Sequence, residues 1–404
     1  MSCVACKGAD ISVLFSFGKI PVSGYLEENI ENAINANVYK NVLCICESCK
    51  LVQQFDLTAK KELEDKVYSN YQSTYSMSEP LREYLDTYLN KAINFSKIKK
   101  TDSVVEIGSN DGGMLNKIEE LGYQSFGFDP SAKNSNCNSI VIKDFFTTEA
   151  VLNFVDKYGK TKLVVSRHTM EHVFDVDDFL SAISIILDKN GTACIEVPYI
   201  YHQMISNQFQ SMAHQHVSYF SISSMINICD IHNMSVVDCE FVSMDGGSIV
   251  FFISKKGEKL INRRVTLSKA YEDTLGLDRG EFYAEWHSTL RRSMDVFSEY
   301  ISNMSQKTNI FAYGGGTKGQ ALLNMLHLDN SIIEVVLDDT DGVDGSFIPG
   351  TANTVKSSKK YTTKGGILVI TAPTHSKSLI QKIKESDSIS PDLIMVTAPF
   401  FKFV

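Results

Sequence analysis

The chain lacks any run of 18 apolar residues, so we expect no transmembrane helix. It also lacks the charged and then apolar stretch of a secretory signal peptide, since it begins Met-Ser-Cys-Val-Ala-Cys. Basic residues are not in excess, because 39 Lys and Arg stand against 48 Asp and Glu, and this balance disfavours a nucleic-acid partner. We therefore expect a cytoplasmic protein whose nine cysteines are metal ligands or buried thiols rather than disulfides.

Internal repeats, low-complexity tracts and long flexible linkers are also missing, but three blocks differ in pattern. Residues 1–65 hold five of the nine cysteines, residues 66–264 alternate short apolar runs with helix-length segments, and residues 265–404 begin with a helical stretch and then repeat that alternation. Apolar runs separated by helices are typical of parallel sheets. The sequence thus predicts an α/β protein with a doubly wound, Rossmann-like core, a small N-terminal domain and a second Rossmann-like domain at the C-terminus.

Two CxxC pairs stand in the first block, Cys3 with Cys6 and Cys46 with Cys49. A CxxC turn brings two thiolates to one ion, and two such turns complete a closed tetrahedral site that is typical of structural zinc. Cys44 lies beside the second pair at the wrong spacing. The alternatives are four unrelated cysteines or a redox pair, and the presence of two pairs disfavours the redox interpretation.

A glycine-containing loop follows the apolar run 103–108 and precedes a predicted helix at 114–121. Its Gly-x-x-x-Gly spacing lacks the GxGxxG fingerprint of pyrophosphate binding, which weakens a nicotinamide interpretation. Asp129 ends the next predicted strand, where a carboxylate can accept both ribose hydroxyls, and Asp144-Phe145 follows the third, where the aromatic ring could contact adenine. The pattern therefore predicts a nucleoside site, and we assign cofactor binding to Glu106, Gly108, Asn110, Gly112, Asp129, Pro130, Asp144, Phe145 and His168.

Several motifs together resemble a known family over essentially the whole chain. They are the cysteine pairs, Glu106-Ile107-Gly108-Ser109-Asn110-Asp111-Gly112, Met170-Glu171-His172-Val173, His216-Val217-Ser218-Tyr219-Phe220-Ser221, Asp245-Gly246-Gly247-Ser248 and Gly314-Gly315-Gly316-Thr317-Lys318-Gly319. Their order is similar to that in S-adenosylmethionine (SAM)-dependent sugar C-methyltransferases that act on nucleotide-linked 4-keto deoxysugars. The resemblance implies SAM and zinc as cofactors, a nucleotide-sugar substrate, no membrane or nucleic-acid partner, and a monomer or small homo-oligomer.

The resemblance also suggests the catalytic groups. A carbon beside a ketone becomes a nucleophile only when it loses a proton, and a neutral imidazole with an ordinary pKa of about 6.5 suits that step. We predict His216 as this base, with His214 as its substitute. Tyr75, in a Tyr/Ser-rich stretch that includes Tyr71, is predicted to stabilise the enolate oxygen. In the C-terminal glycine loop, Lys318 or the loop amides would lie near the phosphates of the substrate. The alternative is that this domain is a scaffold that merely covers the cleft.

One difference from the family pattern leaves the type of reaction undecided. The family has Tyr-x-Glu-His where this chain has Ala213-His214-Gln215-His216, so the histidine is kept and the tyrosine and carboxylate are lost. The alternatives are O- or N-methylation of a related sugar, or a nucleoside-binding subunit with a decayed catalytic loop. The glycine-rich C-terminal loop also leaves open a nicotinamide-dependent sugar reductase.

Overall fold

The computed structural model describes residues 2–68, 79–131, 137–243, 246–397 and 402–403. In these ranges the helices are α1 (Ile30–Ile34), α2 (Lys60–Glu62, continued by a π-helical turn at Leu63–Val67), α3 (Glu79–Ser96), α4 (Gly113–Glu120), α5 (Thr148–Tyr158), α6 (Val176–Ile186), α7 (Ile200–Ile205), α8 (Ile222–Ile231), α9 (Arg263–Leu275), α10 (Gly280–Ser305), α11 (Thr317–Met325) and α12 (Ser376–Lys384). Short 3-10 turns cover Met170–His172, Phe209–Ser211 and Pro373–His375.

The strands form three main sheets and one small pair. In chain order they are β1 (Ile11–Ile20), β2 (Tyr39–Cys46), β3 (Val52–Gln54), β4 (Ser103–Ile107), β5 (Gln124–Phe128), β6 (Ile140–Ile142), β7 (Thr161–Arg167), β8 (Leu187–Pro198), β9 (Ser218–Tyr219), β10 (Met234–Val242), β11 (Ser248–Lys255), β12 (Ile310–Tyr313), β13 (Val335–Asp338), β14 (Val355–Ser357), β15 (Thr363–Lys364), β16 (Ile367–Ile370), β17 (Ile389–Ser390), β18 (Leu393–Val396) and β19 (Lys402–Phe403).

The central sheet has seven strands in the order β10-β11-β8-β7-β4-β5-β6. Strands β4 to β8 pair in parallel, and β11 and β10 add an antiparallel edge. Helices cover both faces, so the inner strands are almost wholly apolar and buried, as in β4. The chain leaves β4 for β5 on one side and returns to β7 on the other. Ligands bind at such a switch point, beyond the carboxyl ends of the strands.

The second large sheet has the order β14-β13-β12-β16-β18-β19, and its five strands other than β19 run parallel. It is joined to the central sheet by α9 and α10, which break at Gly276 where φ is +75°. The predicted fold class, with a doubly wound core and a second Rossmann-like unit, is therefore confirmed. Among the described residues, no helix has the length and apolarity needed to cross a membrane.

The N-terminal sheet has the order β1-β2-β3-β9 and is antiparallel throughout. Its last strand comes from far along the chain, because β9 begins two residues after His216. The strand that completes the cysteine-bearing sheet is thus continuous with the predicted catalytic segment. The domain limits at 65/66 and 264/265 stay predictions.

Candidate active site

The glycine loop sits at the switch point of the central sheet because β4 ends at Ile107, directly before it. Gly108 has a φ of +77°, and a Cβ there would approach within 3.0 Å of Thr169 Oγ1. Thr169 belongs to the loop after β7, and its hydroxyl also donates to the Ile107 carbonyl at 3.4 Å. Close backbone packing here is what requires glycine. It joins the predicted cofactor loop to the loop that carries His168 and His172.

Two carboxylates lie under the glycine loop. Asp129 is 93% buried, and its Oδ2 accepts a 2.8 Å hydrogen bond from the Asn110 amide, while its Oδ1 accepts one of the same length from the Ser131 amide. Glu106 is also buried, and burial, with Asp111 and Asp129 nearby, raises its pKa well above the usual range. Its Oε2 has no hydrogen-bond partner among the described residues. An orphaned acidic oxygen beside a glycine loop suits the amine or hydroxyl groups of a nucleoside-amino acid ligand.

The two phenylalanines after β6 have different surroundings. Phe146 is buried against Phe128 and Phe179, at ring-centroid distances of 5.1 and 5.4 Å. Phe145 is 49% exposed and its neighbour Asp144 is exposed, as is Pro130. Phe146 therefore anchors the loop in the core, and Phe145 keeps a ring surface that an adenine could cover.

The loop after β7 carries a buried polar network. His168 adopts a left-handed conformation with φ +47°, and its ring lies between Glu171, 3.1 Å from Nδ1, and Glu196, 3.3 Å from Nε2. Glu196 also accepts hydrogen bonds from Arg167 at 3.0 Å and Tyr84 at 2.8 Å. His168, predicted as a cofactor ligand, thus takes part in a carboxylate network at the base of that loop.

His216 belongs to a second cluster on the other side of Glu171. One ring nitrogen of His216, one of His172 and one carboxylate oxygen of Glu171 all lie within 4.8 Å of one another. The His172 ring is fixed because its Nδ1 donates to the Gln215 carbonyl at 2.8 Å, and the Val217 amide donates to the Glu171 carbonyl at 2.7 Å. These two hydrogen bonds bind the segments 168–173 and 213–217 to each other.

The pKa of His216 is lowered to about 3, first by burial and then by the charge of His172, with Lys318 and His168 adding to the effect and Glu171 opposing it. This value lies well below the ordinary pKa of about 6.5 for a histidine. The imidazole is neutral at physiological pH and its lone pair is available. It is also a weaker base in the ligand-free protein than the sequence suggested.

The other residues of the catalytic segment face the N-terminal sheet. His214 is buried with its ring edge-to-face on Tyr39 at 6.1 Å, and burial lowers its pKa. The Gln215 side chain donates to the Ser23 carbonyl at 2.7 Å. Neither side chain is part of the cluster around His216. Tyr71, Tyr75 and Asp245 lie outside the described residues.

The C-terminal glycine loop reaches this region at Gly24. The Gly24 amide donates to Gln320 Oε1 at 2.8 Å, and a Cβ on Gly24, where φ is +105°, would come within 3.0 Å of the Gln215 amide nitrogen and 3.2 Å of Thr317 Oγ1. Lys318 follows Thr317 and acts electrostatically on His216. Segments from all three predicted domains thus meet beside the predicted base.

The four predicted metal ligands come together. Cys3 Sγ lies 3.6 Å from Cys49 Sγ and Cys6 Sγ lies 3.4 Å from Cys46 Sγ, and the four sulfurs form a group that could hold a metal ion. Cys44 is buried outside this group, and its Sγ approaches the Gln53 carbonyl at 3.4 Å. The predicted convergence of the two CxxC pairs is therefore observed.

The acidic members of the polar network are not among the site residues predicted from the sequence. Glu171 lies inside the Met-Glu-His motif, directly before His172. Arg167 ends β7, Glu196 lies two residues before the end of β8, and the two residues pair in register. A charged residue near the carboxyl end of each of two apolar runs is the signal in the sequence that indicates them.

Comparison with known proteins agrees with this geometry. A methyltransferase domain model matches residues 79–238, and a C-methyltransferase C-terminal domain model matches residues 243–396. The C-methyltransferase NovU of Streptomyces niveus is 26% identical over 355 residues, which is 86% of this chain and 83% of that protein.

Solved structures are more distant. A 1,6-didemethyltoxoflavin-N1-methyltransferase of Burkholderia thailandensis with bound S-adenosylhomocysteine has a TM-score of 0.36 at 12% identity, over 51% of this chain and 96% of its own. A complex of the Haloferax volcanii Trm112 methyltransferase activator with a methyltransferase has a TM-score of 0.35 at 14% identity, over 44% and 93%.

The strand order, the glycine loop at the switch point and the matched domains define the class of protein. The chain is a SAM-dependent methyltransferase. More closely, it is similar to the C-methyltransferase NovU, and its residues 243–396 match the model of a C-methyltransferase C-terminal domain.

Proposed function

We propose that this enzyme methylates the carbon beside the ketone of a nucleotide-linked 4-keto deoxysugar. The observation that carries the proposal is the neutral His216 imidazole, which lies close to His172 and Glu171. His172 and Glu171 belong to the loop that packs against the glycine loop through Thr169. A base in that position serves a carbon acid, whose proton must leave before the carbon can attack. The homology to NovU supports carbon as the acceptor.

The residues that would hold SAM are those around the glycine loop. Glu106 and the loop backbone would face the amino acid part of SAM, Asp129 would face the ribose and Phe145 would face the adenine. Bound SAM supplies an electrophilic methyl group. The chain itself holds the acceptor in line with that methyl and excludes water from it.

The proton step belongs to His216. Its ring nitrogen takes the proton from the carbon, the C–H electron pair becomes that of an enolate, and the imidazole becomes an imidazolium. Tyr75 is proposed to donate a hydrogen bond to the enolate oxygen. His216 then returns the proton to solvent, which regenerates the neutral base.

The nucleotide part of the substrate is assigned to the C-terminal glycine loop. Lys318 carries a positive charge next to the His216 pocket, and the loop Gly314–Gly316 begins α11, whose N-terminus favours a phosphate. The Asp338 carboxylate accepts hydrogen bonds from the Gly315 and Thr340 amides at 2.7 and 2.8 Å. It is thus engaged in fixing the loop, which disfavours the nicotinamide reductase.

The N-terminal cysteines are proposed to bind one structural zinc ion. Four thiolates leave no open coordination position, so the ion would stabilise the fold and take no part in the chemistry. The burial of Cys3, Cys46 and Cys49 supports this role.

A second candidate is methylation of an oxygen or nitrogen on a related sugar. Ala213 presents no hydroxyl and Gln215 is turned to Ser23, so neither assists an enolate. This alternative and the leading proposal differ in the fate of one hydrogen atom.

The test uses labelled SAM and nucleotide-linked 4-keto sugars deuterated beside the ketone. Carbon methylation requires loss of deuterium to water, and NMR should place the new methyl on that carbon. His216→Asn should bind both ligands and lose about 100- to 10,000-fold in turnover, the range of general-base catalysis. His214→Asn is the matched control and should retain most activity. Deuterium retained in a methylated product would establish the O- or N-methyl alternative.

A further inference from the structure

We propose that Glu171 is the positioning residue of the active site, supplying the negative charge that stabilises His216 once it has taken the proton. The inference rests on the proposed role of His216 as the base. It concerns a residue that touches neither the substrate nor the methyl donor and acts through the imidazole.

The need for such a charge follows from the groups around His216. The neutral imidazole becomes a cation in a half-buried place that already faces Lys318, with His168 and His172 beside it. A cation that is partly withdrawn from water and has no partner is unfavourable. Proton abstraction at this position therefore requires a carboxylate within a few ångströms.

Glu171 is the carboxylate that meets this requirement. It is 99% buried, and although burial alone raises the pKa of a carboxyl group, its pKa is lowered to about 2 by the hydrogen bond from His168 and by the charges of His168, His172 and His216. Its Oε1 is held by His168 Nδ1 at 3.1 Å, and its Oε2 has no hydrogen-bond partner among the described residues. One oxygen is thus anchored and the other is unpaired, and one oxygen of this carboxylate lies within 4.8 Å of a ring nitrogen of His172 and of His216.

The other candidates for this role are engaged elsewhere. Glu196 accepts hydrogen bonds from Arg167 and Tyr84. Gln215, next to the base, carries no charge and donates to Ser23. The backbone reinforces the choice of Glu171, because its carbonyl accepts the hydrogen bond of Val217, which directly follows the base. The same residue therefore fixes the segment that carries His216 and places a carboxylate oxygen within 4.8 Å of one of its ring nitrogens.

The kinetic test compares two substitutions at this position. Glu171→Gln keeps an oxygen that accepts the His168 hydrogen bond but removes the charge, and Glu171→Asp keeps the charge. Removing a negative charge at this distance typically lowers the pKa of an imidazolium by one or more units. The base is then weaker, so kcat should fall by about 10- to 100-fold in Glu171→Gln. KM and the affinity for SAM should change less than about twofold. Glu171→Asp should recover a large part of kcat.

The matched control is Glu272→Gln, which removes another 99% buried carboxylate, one that accepts hydrogen bonds from Tyr199 and the Ser223 amide. It should cost stability without changing kcat. If Glu171 has only a structural role, Glu171→Gln should behave like this control. It should lose as much thermal stability and show no fall in kcat at unchanged KM. That result would overturn the proposal.

A spectroscopic measurement separates this proposal from the proposed function. The ring-nitrogen resonances of His172 and His216, assigned with His172→Asn and His216→Asn in 15N-histidine-labelled enzyme, should move in Glu171→Gln and stay in place in Glu272→Gln. This readout needs no turnover, so it decides the role of Glu171 even if no sugar is methylated. Unmoved resonances would overturn the proposal. So would loss of activity in a chelator with restoration by Mn²⁺ alone, because Glu171, His172 and His216 would then be metal ligands.

Discussion

At the scale of single residues, the site depends on keeping a histidine neutral where a charged one would be costly. Among the described residues, His172, Lys318 and His168 lower the pKa of His216 further, and Glu171 acts in the opposite direction. Such an arrangement keeps the lone pair of the imidazole free at all physiological pH values. The cost appears in the stability of the folded protein under acid conditions.

The pH dependence of stability follows from the pKa of His216, about 3 in the folded chain against about 6.5 when unfolded. As the pH falls below 6.5, the unfolded chain binds a proton that the folded chain does not, so the folded state loses stability until the pH approaches 3. Between pH 7.5 and 5 the loss should be about 1–2 kcal/mol. Urea unfolding of the wild type and His216→Asn at both pH values measures it. Identical pH dependence in the two proteins would contradict the lowered pKa.

Gln215 offers a second residue-level prediction. Its amide donates to the Ser23 carbonyl at 2.7 Å, and an ionised glutamate has no proton to donate there. Gln215→Glu, which brings back the residue typical of the family, should therefore lower the free energy of unfolding by about 1–3 kcal/mol and fail to raise activity. Gln124→Glu, at an exposed position, is the control for added charge. Higher kcat in Gln215→Glu would show that its carboxylate turns toward His216.

At the scale of secondary-structure elements, the end of β4 and the loop after β7 form one packed unit. Gly108 and Gly159 both have a φ near +80°, but a Cβ on Gly108 would meet Thr169, whereas a Cβ on Gly159 would meet no atom within 4 Å. Gly108→Ala and Gly159→Ala would therefore both strain the backbone, but only Gly108→Ala would also create a steric clash.

We expect Gly108→Ala to weaken SAM binding by at least about 10-fold, because the loop must move away from Thr169 and from the ribose carboxylate. Gly159→Ala should lose stability to a similar degree and bind SAM normally. Calorimetric titration of both variants provides the measurement. Equal SAM affinity in the two would mean that the loop tolerates displacement.

The elements that sequence could predict are those with a strong local signal. The apolar runs at 103–108 and 124–129 match β4 and β5 within one residue, because buried parallel strands are largely apolar along their length. β8 begins five residues earlier than the run at 192–197, since its first residues include Asp188, Lys189 and Asn190. The pairing of β9 with β3 joins residues more than 160 positions apart, and no local periodicity encodes it.

The candidate site follows the same rule. Candidate ligands at fixed spacings along the chain, such as the CxxC pairs and Gly108 with Asp129, could be predicted from the sequence. The contact of Glu171 with His216 depends on two loops meeting in space, and so does the turning of Gln215 to Ser23. Those contacts required the fold.

At the scale of the whole molecule, the cysteine-bearing sheet and the catalytic segment are parts of one structure. β2 carries Cys46, β3 pairs with β2, and β9 pairs with β3 two residues after His216. A disturbance at the cysteine cluster can therefore reach the proposed base through three hydrogen-bonded strands. The glycine loop after β4 belongs to a different sheet and should be less affected.

Replacement of Cys46 by serine tests this coupling. The variant should lose the bound zinc, about one ion per chain, together with about 3 kcal/mol or more of stability, because a structural metal contributes directly to folding. Its kcat should fall as β9 loosens, while its affinity for SAM should stay within about threefold.

Cys44→Ser is the matched control, since Cys44 is a buried thiol on the same strand outside the cysteine cluster. It should keep its zinc and its kcat. Elemental analysis measures the zinc content, urea unfolding the stability and calorimetry the affinity for SAM. Zinc retained in Cys46→Ser would show that Cys46 is not a metal ligand. An unchanged kcat after loss of zinc would show that the cysteine-bearing sheet and the proposed base are independent.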